Sequence, residues 1–198
     1  MNKELKKMWS LLLLCLMAVT SVSAQTADFQ KAVARYKGVK IVTAAVTKTA
    51  HKNAIAKDVV TKGTLTMQAP SKVSIVMDGG KDQLLMQGSD FTMVVKGKKH
   101  VTSSKKNTQF ASFQTVFESI MSGGAKSIAH LNDLSISKRG GSLVLTITPA
   151  AADKKAARRM LFSSFVLTLD AKTGALHTLR MNERKGYTEY TFSHHQYK

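Results

Sequence analysis

The chain has 198 residues, 43% of them hydrophobic, with 30 lysines and arginines against 12 acidic residues and a formal charge of +18. That length can bury a full core in one domain and excludes a small disulfide-stapled scaffold, as does the single cysteine. The charge draws anionic surfaces such as lipid headgroups, lipopolysaccharide and polyanionic glycans, while no motif points to nucleic acid as a partner.

Residues 1–24 read as a secretory signal. Lys3, Lys6 and Lys7 make a basic start, Leu11 to Val19 is an apolar run, and Val22-Ser23-Ala24 is a small-residue cleavage site. The run is shorter than the roughly 20 apolar residues a membrane span needs. Cys15 lies inside it after Leu14, so it is an apolar member of the signal, not a lipidation site. The expected exported chain is one domain, residues 25–198, free of cysteine. Removing three lysines and one glutamate leaves it at +16.

Thr26 to Tyr36 reads as a helix with Phe29, Ala32, Val33 and Tyr36 on one face and Gly38 to end it. Val39–Thr49 reads as a strand. From Val59 short strands alternate with turns. In 59–68 Leu65 and Met67 share a phase; in 72–78 Val73, Ile75 and Met77 do; in 91–96 Phe91 and Met93 do, with Val95. Residues 83–87 and 100–103 are shorter strands. The links are too short for parallel crossovers, so the region is an antiparallel meander. The period-2 phase aims these seven residues, Leu65 to Met93, at one apolar face.

Residues 107–124 read as one amphipathic helix. Phe110, Phe113, Phe117, Ile120 and Met121 form its apolar stripe, and Ser112, Thr115, Glu118 and Ser119 its polar face. Asn107 or Thr108 is the candidate cap, and Gly123-Gly124 the left-handed stop. The stripe is either fixed core or a lid over an apolar cavity, and the helix alone does not choose. A further helical turn is expected in 125–131. Strands follow at 134–137, 143–148, 162–170, 176–182 and 187–193, with a basic stretch of loop or short helix at 149–159. The lysine clusters at 96–99, 105–106 and 154–159 read as turn and loop decoration. The expected fold is mainly β, an open antiparallel barrel or strongly curved sheet of nine to eleven strands, with two or three helices.

Catalytic patterns are missing from the sequence. The six histidines are scattered, carboxylates are single, and there is no nucleophile elbow, phosphate loop or dinucleotide pattern. Neither enzyme, cofactor nor metal is expected. Methionine is plentiful in the strands, and its adaptable side chain suits both core and variable apolar partners.

An ordered series of segments resembles the periplasmic carriers of outer-membrane lipoproteins, the LolA-like family. It runs from Tyr36-x-x-Val39-x-Ile41, through Gly63-Thr64-Leu65-x-Met67-x-x-Pro70-x-Lys72 and the phenylalanine-rich helix. It ends in Phe165-x-Leu167-x-Leu169-Asp170-x-x-x-Gly174-x-Leu176 and Gly186-x-x-x-Tyr190-x-Phe192. The resemblance implies a monomeric periplasmic carrier with helices plugging the mouth of an open barrel. Acyl chains of lipoproteins, released by an inner-membrane ATP-driven transporter, would enter the cavity and pass to an outer-membrane receptor or the membrane surface. It makes Leu65, Met67, Val73, Ile75, Met77, Phe91 and Met93, with Phe110, Phe113, Phe117, Ile120 and Met121, the acyl-contacting set. The family's better-known members hold the lid with an arginine just before the proline; here Ala69 stands there, so closure rests on other contacts. Alternatives are a carrier or sensor of an anionic amphiphile (lipopolysaccharide or phospholipid) and a module binding acidic polysaccharide.

Overall fold

The computed structural model describes residues 25–198 except 96, 106, 107 and 152. The signal read in residues 1–24 and the cap read at Asn107 lie outside the described residues. The first helix, α1, covers 25–33 and tightens into a 3-10 turn at Ala34–Tyr36. Six strands follow: β1 (Ile41–Lys52), β2 (Val59–Gln68), β3 (Lys72–Met77), β4 (Asp82–Gln87), β5 (Asp90–Val95) and β6 (Lys98–Ser103). After a 3-10 turn at Thr108–Phe110 comes α2 (Ala111–Met121), then β7 (Leu134–Arg139) and β8 (Ser142–Ile147). Last are α3 (Lys154–Arg159), β9 (Ser164–Asp170), β10 (Leu176–Glu183) and β11 (Gly186–Tyr197).

All eleven strands form one open sheet in the order β6-β5-β4-β3-β2-β1-β11-β10-β9-β8-β7. Every neighbouring pair is antiparallel. Two meanders are joined at the centre where β1 pairs with β11. The free edges are β6 and β7, and the chain between them, residues 104–133, carries α2.

Cross-strand register sets the inner face. Leu65 lies opposite Ile75, Ile75 opposite Leu84, and Leu84 opposite Met93. The next row runs Met67, Val73, Met86, Phe91. Directly paired residues point to the same side, so the two rows share one face. Across the centre the same face carries Val42, Ala44 and Val46 of β1, then Leu179, Phe165, Leu167 and Leu145, all buried.

Gly63, beside the first row, pairs with Met77 where β3 leaves no room for a side chain on β2. A Cβ there would sit 2.1 Å from the Val76 carbonyl oxygen. A glycine inside a strand marks such an approach, and its missing side chain lets the sheet bend.

Helix α1 docks by its stripe: Phe29, Ala32, Val33 and Tyr36 are each at most 3% exposed. The Tyr36 hydroxyl donates to the Gly174 carbonyl at 3.0 Å in the β9–β10 turn. Burial, and then the neighbouring Tyr197, hold its phenol well above the ordinary tyrosine range. Gly123 and Gly124 stop α2 at positive φ. Their amides return to Ile120 O at 3.0 Å and Ser119 O at 2.8 Å, the double bond of a left-handed helix stop.

The structure corrects four readings. The α-helical part of α2 starts at Ala111 behind the 3-10 turn, with Phe110 at its cap position and no side-chain cap bond. Residues 125–131 make turns and no helix, because Ser122 and Ser119 draw the chain back over α2. Ser119 is therefore buried, its hydroxyl donating to Lys126 O at 2.6 Å, and does not lie on a solvent face. Lys98 and Lys99 sit on β6, and Lys154, Lys155 and Arg158 on α3, so these clusters are more than loop decoration.

Candidate functional site

The α2 stripe lies on the inner face of the sheet through a cluster of rings. Phe165 of β9 is its hub, with centroids 4.6 Å from Phe113, 5.9 Å from Phe110 and 5.4 Å from Phe162. Phe91 of β5 stacks on Phe110 at 4.3 Å and meets Phe113 edge-on at 6.1 Å. The helix thus touches both halves of the sheet. Phe113 and Phe117 are each 1% exposed, as buried as any strand residue beneath them.

What holds α2 there differs from what holds the strands. Among the described residues, no backbone hydrogen bond joins α2 itself to a strand; the nearest is the local one from Leu134 N, at the start of β7, to Leu131 O at 3.3 Å. The Gln114 amide donates to the Gly88 carbonyl, and the Gln109 carbonyl accepts from the Phe162 amide at 3.3 Å. Ser112 donates to Asp133 at 2.7 Å within the same crossing segment. Apolar side-chain contact and two glutamines therefore fasten the helix. Such an element can leave the sheet without breaking the strand ladder.

The structure places Leu65, Met67, Val73, Ile75, Met77 and Phe91 in one buried cluster with the α2 residues Phe113, Phe117, Ile120 and Met121 and their neighbour Phe110, and Phe91 touches the helix segment directly. Met93 is half-buried, packs against this cluster and borders an open cleft of about 320 Å³. That cleft lies on the inner side at the end of the sheet away from α1. Its apolar wall includes Met93, Val95, Phe162, Met181 and Tyr190.

The cleft's polar groups were not foreseen. On β1 the inward row Val42, Ala44, Val46 continues into Lys48, Ala50 and Lys52. Lys48 Nζ meets Asp82 Oδ2 at 2.5 Å, reaching from β1 to β4, and both side chains are largely covered. Lys52 pairs with Glu183 of β10. Burial first, and then the charges of Asp82 and Glu183, push the Tyr190 phenol well above its ordinary range, so it stays a protonated donor. The period of β1 carries this signal, because two lysines fall in phase with three buried small hydrophobics. Among the described residues no group of three His, Cys, Asp or Glu is placed to hold a metal ion.

No protein-family model matches the chain, and no curated protein sequence matches it. Among solved structures it is similar to a DUF1329 family protein from Desulfovibrio piger, at 12% identity and a TM-score of 0.45, covering 89% of this chain and 93% of that one. It is also similar to a putative outer membrane lipoprotein-sorting protein domain from Vibrio parahaemolyticus (15% identity, TM-score 0.42, covering 87% and 91%). A LolA superfamily protein from Nitrosomonas europaea is a further likeness (9% identity, TM-score 0.38, covering 87% and 92%).

Proposed function

We propose that this chain is a carrier of acylated cargo, lipoproteins above all, that takes acyl chains between α2 and the inner face of the sheet. One observation carries the reading: a continuous apolar face covered by a helix that is fastened by side chains alone. Replacing the helix by acyl chains exchanges one apolar contact for another, at about 0.8 kcal/mol per methylene buried. No catalysis is involved. The ordered sequence resemblance supports a periplasmic shuttle, loaded by an inner-membrane ATP-driven transporter and emptied at an outer-membrane receptor or the membrane itself. In this reading Leu65, Met67, Val73, Ile75, Met77, Phe91 and Met93 contact the chains from the sheet. The α2 stripe contacts them from above.

A fluorescent fatty-acyl probe should bind the purified protein saturably. Phe113→Ala and Phe117→Ala should each weaken it roughly tenfold, the effect of about 1.4 kcal/mol of lost contact. Unsaturable binding, or affinity untouched by both substitutions, contradicts the proposal. A second reading, a carrier of an anionic amphiphile, draws on Lys48 and Lys52 inside the cleft; it requires that Lys48→Met weaken an anionic probe more than an uncharged one.

A further inference from the structure

We propose that the rim of the cleft is a docking face for an anionic lipid bilayer. Large hydrophobic residues are exposed at only six positions among the described residues; Val60 and Val101 lie elsewhere on β2 and β6, and the other four fall together. Ile55 (55% exposed), Val59 (59%) and Val95 (40%) border the cleft, and Leu161 (54%) precedes its wall residue Phe162. They come from the β1–β2 loop, the start of β2, the end of β5 and the link from α3 to β9. Four unrelated segments thus present aliphatic side chains around one opening. Water-facing side chains of this kind, grouped and ringed by polar residues, mark an interaction surface.

The charges select the partner. Carboxylates at this end are already paired: Asp58 with His51 at 2.7 Å, Asp78 with Lys81 at 3.5 Å, Asp82 with Lys48, and Glu183 with Lys52. Asp153 is taken up by the first turn of α3, accepting from Ala156 N at 2.7 Å. No carboxylate pairs with Lys57, Lys98 or Lys185 among the described residues. The Asn53 amide binds the Lys185 carbonyl at 3.1 Å, which places the β10–β11 turn beside the β1–β2 loop. Arg184 of that turn donates to the Arg158 carbonyl, which brings basic α3 to the same rim. Aliphatic tips set among unpaired cations fit a surface that offers anionic headgroups over hydrocarbon. A soluble polyanion would satisfy the cations and leave the aliphatic tips in water.

Docking in this pose turns the cleft toward the acyl region of the bilayer. It deepens the carrier reading by naming the face and its partner, yet vesicle binding can be measured without any cargo. The protein should co-float with phosphatidylcholine vesicles containing phosphatidylglycerol, less at high salt, and weakly with phosphatidylcholine alone. Ile55→Asp combined with Leu161→Asp, and Lys57→Glu combined with Lys185→Glu, should each weaken that binding about tenfold or more. Lys37→Glu combined with Lys172→Glu, an equal charge change at the α1 end, should leave it within about twofold. All these side chains are exposed, and unchanged melting temperatures would confirm folded variants. The proposal is overturned if phosphatidylglycerol vesicles are not bound, if the α1-end reversal weakens binding as much as the rim reversal, or if the aspartates have no effect. Binding to a soluble acidic polysaccharide without vesicle binding overturns it in favour of a glycan surface. Acyl-probe affinity of the unsubstituted protein, measured in parallel, reports on the carrier reading separately.

Discussion

Phe165→Ala is expected to lower unfolding free energy by about 3–5 kcal/mol, the range for a fully buried phenylalanine. Phe165 is 0% exposed, lies on β9 within the strand ladder, and is the hub of the ring cluster. Phe113, its partner at 4.6 Å, is just as buried, so contact area alone predicts the same loss. The two differ in what their elements can do. Strand β9 is bonded on both sides and cannot leave without unfolding. If α2 undocks while the sheet stays folded, the loss from Phe113→Ala cannot exceed the free energy of undocking, because the variant then rests open. A carrier has to open, so Phe113→Ala should cost less than about 2 kcal/mol, well below the buried range. Ile147, 0% exposed on β8, should follow Phe165. Denaturant titration of the three variants checks this. Equal losses at Phe113 and Phe165 would make α2 a fixed part of the core.

Gly63→Ala should cost about 3 kcal/mol, the upper part of the usual range for overpacking. The added Cβ would meet the Val76 carbonyl oxygen at 2.1 Å, Met77 Sδ at 2.6 Å and Met77 Cα at 2.9 Å. The sulfur can move; the backbone oxygen cannot without shifting β3 off β2. In a domain of this size the melting temperature should fall by roughly 6–12 °C. The next residue, Thr64, is exposed on the outer face, and Thr64→Ala should change stability by less than about 0.5 kcal/mol. Thermal melts of the two variants give the comparison. A Gly63→Ala melt matching that of Thr64→Ala would show that the strands need no glycine to approach.

Much of the fold was legible because alternation is a strong signal wherever one face is buried. β2 spans the 59–68 run read from the sequence, and α2 carries the stripe read from its phenylalanines. The pairing of β1 with β11 was not legible, since no local pattern announces that the two ends of a chain meet. Nor was the length of β11: Ser193 to Gln196 is polar, and positive φ at His194 marks a break in register against Thr43 and Ala45. Ser119 was misplaced because a helical wheel does not show a loop folding back over it. The cleft was missed for a related reason. Its groups come from β1, β2, β4, β5, β10, β11 and two connecting segments, and only Lys48 and Lys52, in phase with buried residues, hinted at it.

The central claim is that acyl chains lie between α2 and the inner face of the sheet. The most direct measurement is photolabelling with a fatty acid carrying a diazirine along its chain, followed by mass spectrometry of the labelled peptides. The carrier account predicts saturable labelling, competed by unlabelled fatty acid, on the α2 stripe at Phe113 and Phe117 and on the facing rows at Met67 and Ile75. Labels confined to outward positions such as Thr64 and Thr66, or labelling that grows without saturating, would contradict it.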